Sequence, residues 1–130
     1  MGLRNARLEF RQQEMTHIME NILYNDLKIR GFSVDVGVVY GTKKNQSGNQ
    51  VKAAREIDFV ASKGSKKVYI QSAYALPDKE KEEVENRPFK LIEDSFPKII
   101  IRHDIRKRWY DDNGILNIGI IDFLLDDSVI

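Results

Sequence analysis

The stretch Glu56-Ile57-Asp58-Phe59-Val60-Ala61-Ser62-Lys63-Gly64-Ser65-Lys66-Lys67-Val68-Tyr69-Ile70-Gln71-Ser72-Ala73-Tyr74 decides how this chain folds. Two runs rich in β-branched and aromatic residues flank a polar centre, the pattern of two strands joined by a tight turn. Gly64 tolerates the positive φ of a type II′ turn, so Gly64-Ser65 is the expected two-residue connection. Lys63 then faces Lys66, and the register runs back through Val60–Tyr69, Phe59–Ile70, Asp58–Gln71 and Glu56–Ala73. One face, with Phe59, Ala61, Val68 and Ile70, is apolar, and the other carries Glu56, Asp58 and Gln71. A slip of one residue would bury the polar set, so the burial pattern fixes this register. Strands are predicted over about 54–62 and 67–75.

Upstream, Met15, Ile18, Met19, Ile22, Leu23 and Leu27 recur at three and four residues, which predicts a helix over about 16–30. Thr16 is its expected N-cap, and Gly31 its left-handed end. Residues 1–15 are expected to form a lead-in or tail, and 16–130 one domain. Phe32, Val34, Val36, Val38 and Tyr40 alternate with smaller or polar residues, as a strand does. Residues 41–53 lack an apolar pattern and read as a long exposed loop.

Downstream, Asp78 can cap a helix over about 79–93, with Pro88 expected to kink or split it. Its Lys79-Glu80-Lys81-Glu82-Glu83 run reads as a solvated face. Ile99-Ile100-Ile101 has the continuous apolar character of a buried strand. Residues 104–113 read as a loop, 115–118 as a last strand and 122–125 as a short closing helix. The order α-β-β-β-α-β-β-α predicts an α/β fold with a mixed central sheet flanked by helices. A right-handed crossover is expected between the strands at 67 and 101.

The bulk properties narrow the function classes. The chain has 130 residues, 42% of them apolar, enough for one core. Charged residues make up 32% but sum to +1, so net charge argues for neither nucleic acid nor membrane. No cysteine is present, which removes disulfides, thiolate metal sites and a cysteine nucleophile. No apolar run approaches the roughly 20 residues of a membrane span. Met1-Gly2-Leu3-Arg4-Asn5-Ala6 has neither a secretory core nor a myristoylation signal, so the expected compartment is the cytoplasm. His17 and His103 do not make a zinc site, and there is no phosphate-binding loop for an ATPase activity in this chain.

Glu20 on the first helix, Asp58 and Gln71 could converge as two carboxylates and an amide oxygen, a set that suits Mg²⁺ or Mn²⁺. The bland alternative is a polar cluster tying helix to sheet. Three motifs then stand in order: Met19-Glu20-Asn21-Ile22-Leu23-Tyr24, Glu56-Ile57-Asp58-Phe59-Val60, and Val68-Tyr69-Ile70-Gln71-Ser72-Ala73-Tyr74. Together they resemble the core of the PD-(D/E)XK nuclease superfamily, the restriction-endonuclease-like fold. More narrowly, they resemble a C-terminal domain of unknown function in prokaryotic AAA-type ATPases. Phe96-Pro97-Lys98 and Ile121-Asp122-Phe123-Leu124-Leu125 extend the likeness, so that it covers about 17–126.

The resemblance implies an α-β-β-β-α-β core, Glu20 and Asp58 as metal ligands, and an ATPase module preceding this domain in the natural chain. It also exposes two departures. Gln71 stands where the superfamily has an acid, and Ala73 where it has the catalytic lysine. Alanine neither orients a water nor stabilises charge on phosphate. Glu20, Asp58 and Gln71 therefore read as a degenerate catalytic site, with any Mg²⁺ or Mn²⁺ weakly held. A second cluster, Arg102, Arg106, Lys107, Arg108 and Trp109, places cations beside an aromatic, as nucleic-acid contacts do. Three readings stay open: a degenerate nuclease-like module binding a partner or nucleic acid, an active Mg²⁺-dependent nuclease with a relocated lysine, and a pure protein-interaction module.

Overall fold

A computed structural model of the chain describes residues 3–44, 46–74, 79–92 and 94–130, with backbone alone at 3–10, 12, 41–44, 51–53 and 79–83. The order is α1 (Leu3–Ile29), β1 (Ser33–Lys44), β2 (Gln50–Lys63), β3 (Lys66–Ala73), α2 (Lys79–Lys90), β4 (Lys98–Arg102), β5 (Trp109–Tyr110), β6 (Leu116–Gly119) and α3 (Ile120–Leu125). The six strands form one mixed sheet in the order β1-β2-β3-β4-β6-β5. β1, β2 and β3 pair antiparallel; β3, β4 and β6 pair parallel.

The expected hairpin register holds: Phe59 faces Ile70, Val60 faces Tyr69, and Lys63 faces Lys66. Gly64 has φ +59 and no non-glycine residue among those described has positive φ, which fits a II′ rather than a I′ turn. The sheet is covered on both faces. Met19, Leu23 and Leu27 of α1 and Phe123 of α3 close one side over Phe59, Ala61, Ile70, Ile99 and Ile101. Phe89 of α2 closes the other over Ile57, Tyr69, Ala73, Ile100 and Ile115. The face expected to be polar is thus a second core, into which Gln71 is sunk at 4% exposure.

Several boundaries differ from the sequence reading. Most of the expected loop over 41–53 is strand, at 41–44 and 50–53. β1 and β2 continue pairing to Lys44–Gln50, because backbone hydrogen bonds sustain a ladder where no apolar alternation marks it. Of the two readings of residues 3–14, a lead-in and a tail, the structure bears out the lead-in: they continue α1 through the expected cap Thr16. Pro88 does not split α2: it lies in the last turn, and the helix ends two residues later at Lys90. A proline there removes a single intrahelical donor near a natural terminus. Trp109–Tyr110 forms a short edge strand inside the expected 104–113 loop. Asp78, and the side chains of Lys79 to Glu83, lie outside the described residues.

α1 divides its apolar residues. Met19, Leu23 and Leu27 are buried, whereas Met15, Ile18 and Ile22 are exposed. At its C-terminus Gly31 takes φ +91 as expected, and Arg30 reaches Asp26 at 2.7 Å and the Phe123 carbonyl at 2.8 Å. That arginine fastens α1 to α3.

Candidate acidic site and basic segment

The site begins with a bulge. Along β1–β2 the pairing steps from Asp35–Val60 to Gly37–Ile57, so β2 carries one extra residue at Asp58-Phe59. A bulge of this kind re-aims side chains. Gly37 makes room for it: a Cβ there would lie 2.6 Å from Val60 Cγ2 and 3.2 Å from Ile57 Cβ. Beyond the bulge the alternation inverts. Ile57, not Glu56, packs with Ala73, while Glu56 is exposed. The expected Glu56–Ala73 juxtaposition is therefore corrected.

The paired ladder between β2 and β3 ends at Phe59–Ile70, and side chains take over there. The Asp58 amide donates to Gln71 Oε1 at 2.8 Å, and the Ser72 amide donates to Asp58 Oδ2 at 2.8 Å. Gln71 Nε2 donates to the Glu85 carbonyl on α2 at 3.4 Å. Asp58 and Gln71 are neighbours, as the register predicts, but each is turned onto the other strand's backbone.

Burial pushes the Asp58 carboxyl up; the Ser72 amide opposes that rise, and the charges of Glu20 and Glu56 add to it. Glu20 thus acts on Asp58 from α1, while its own carboxylate lies 3.8 Å from His17 Nδ1. Glu85 joins the group from α2, its carboxyl pushed up to about 7 by burial and by the charges of Asp58 and Glu20. The sequence reading missed Glu85, which hides at the end of a charge-rich run on α2. The crossover topology was the available signal, because α2 must pass over the face that carries Gln71.

No three Asp, Glu, His or Cys side chains among those described converge closely enough to hold an ion. The Gln71 oxygen expected to assist is already engaged by an amide.

The basic segment is largely self-neutralised. Arg102 is 4% exposed; its Nε and guanidinium NH2 group bond Asp104 at 2.8 Å each, and it lies under the Trp109 ring at 5.5 Å. Arg108 binds Asp122 at 2.6 and 3.0 Å and Asp126 at 2.9 Å. Arg106 and Lys107 are exposed. Arg106 borders a cavity of about 440 Å³ with His103 and Asp122. His103 stacks on Tyr74 with ring centroids 4.6 Å apart.

No protein-family model matches the chain. An uncharacterized protein of Haemophilus influenzae is 31% identical to it over 124 residues, a match that takes in 95% of this chain. The chain spans 27% of the length of that relative. No helix among the described residues is long and apolar enough to cross a membrane.

Proposed function

We propose that this chain is a non-cleaving, restriction-endonuclease-like accessory domain of a longer protein. The carrying observation is the reciprocal lock in which Gln71 accepts the Asp58 amide and Asp58 accepts the Ser72 amide. Groups that would face a metal in an active member of the superfamily here close the gap between β2 and β3. Both charged neighbours that act on Asp58, Glu20 and Glu56, are acidic, and residue 73 is a buried alanine. An anionic phosphodiester meets repulsion there rather than stabilisation. The ordered motifs support a nuclease-like ancestry, and the match to a much longer relative supports an accessory role. The AAA-type ATPase module remains the partner that the sequence resemblance suggests.

The internal pairing of Arg102 and Arg108 favours a protein partner over nucleic acid, leaving Arg106 and Lys107 as the exposed cations of that segment. The test is incubation of the purified domain with supercoiled plasmid and short single strands in Mg²⁺ or Mn²⁺. No cleavage is expected, and calorimetry should show no metal binding that Asp58→Ala abolishes. Cleavage that disappears in Asp58→Ala would restore the active-nuclease reading.

A further inference from the structure

The two apolar seams of α1 have different fates. Met19, Leu23 and Leu27 face the sheet and are buried. Met15, Ile18, Ile22 and Ile29 stay 37, 48, 41 and 84% exposed. At about 100° per residue, these four directions fall within an arc of roughly 60°. Their spacing of three, four and seven residues is that of a helix presenting a seam to another helix, with exposed Asn25 on the same line. Singly scattered exposed apolar residues need no explanation; four on one line do.

Charge decides the occupant. Glu14 and Lys28 are both exposed and occupy the same position of the seven-residue repeat at opposite ends of the seam, with exposed Asn21 midway. They stand roughly 21 Å apart along the axis. A second α1 turned end for end brings Glu14 against Lys28 of its mate at both ends, Asn21 against Asn21 at the centre, and Ile18 against Ile22 between them. The seam is self-complementary under a two-fold axis, as an isologous interface requires.

We propose that α1 joins two copies of this chain in an antiparallel dimer through Met15, Ile18, Ile22 and Ile29, closed at each end by a Glu14–Lys28 pair. None of these residues belongs to the acidic site, so the dimer stands or falls separately from the catalytic reading.

Light scattering on the whole chain should give a dimeric mass. Ile22→Asp should give a folded monomer with an unchanged circular-dichroism spectrum, its melt lowered only by the lost association. Glu14→Lys should weaken association roughly tenfold, and Glu14→Lys with Lys28→Glu should restore it. The chain has no cysteine, so orientation can be read by oxidation. Asn21→Cys should link to its mate; Glu14→Cys alone should not, but mixed with Lys28→Cys it should. A monomeric wild type overturns the proposal, as does a dimer that survives Ile22→Asp, which would move the contact to another surface such as the β1 edge. Failure of Asn21→Cys to cross-link would overturn the antiparallel register.

Discussion

Gln71 Oε1 accepts the Asp58 amide at 2.8 Å, so one side chain supplies the hydrogen bond that the adjacent backbone ladder no longer makes. Gln71 is almost fully buried, and its removal leaves an amide without a partner. Gln71→Leu is therefore expected to cost about 1–3 kcal/mol in urea unfolding. Gln71→Glu keeps the shape but adds a carboxylate near Asp58 and Glu85. It should be close to wild type at pH 5 and clearly weaker at pH 8.

Glu85 gives the domain an unusual pH dependence. Its folded pKa of about 7 lies above the ordinary 4.5, so the folded state holds a proton that the unfolded chain releases. Stability from this group is complete below about 4.5 and falls as pH rises through 7. Asp58 is shifted in the same direction. Asp94 and Asp126 are shifted down, so their contributions are lost only on further acidification. Unfolding free energies from urea titrations should decline from pH 4.5 to 8, by on the order of 1–2 kcal/mol after allowance for solvent screening. Glu85→Gln should flatten that decline, and an unchanged slope in the variant would refute the assignment.

Gly37 sits opposite the β2 bulge, with Val60 Cγ2 2.6 Å from where a Cβ would stand. Gly37→Ala must push Val60 or straighten the bulge, at an expected cost of about 1–3 kcal/mol. Straightening would also turn Asp58 away from Ser72, and amide exchange at Ser72 should accelerate more than at Ile70.

Arg102 is planar, buried and paired in two places with Asp104 beneath Trp109. A lysine reproduces neither the fork nor the stacking. Arg102→Lys should lose about 1–3 kcal/mol. Trp109 is the chain's one tryptophan, so its emission should shift to the red in the folded variant.

The hairpin was legible because Gly64-Ser65 and the alternation around it impose one register. The buried strand Ile99–Ile101 was legible because little else explains three consecutive isoleucines. The distal part of the β1–β2 ladder was not, since Gly41 to Lys44 pair with Gln50 to Ala53 through backbone groups that have no signature in side-chain type. The bulge at Asp58 was hidden for the same reason, and with it the exchange of Glu56 for Ile57 beside Ala73. Within the candidate site, Asp58 and Gln71 were correctly set side by side, but spacing could not tell that their polar atoms turn onto backbone. Asp104 two residues from Arg102 already dilutes the charge of that segment in the sequence, but the pairing of Arg108 with Asp122 and Asp126 is recognisable only once the chain is folded.

β3 alone joins the antiparallel half of the sheet to the parallel half. The two halves differ in how far the chain must travel to make them. β1, β2 and β3 are separated by only a few residues each, and hairpins close within about 1–10 μs. β4 can pair with β3 only after the whole crossover through α2 has been laid down, a closure with a larger entropic cost. The topology therefore predicts an order of assembly: the meander first, the β4–β6 pair and α3 afterwards. Substitutions at Gly64 should accordingly slow the folding limb of a chevron, whereas Ile118→Val should mainly quicken unfolding.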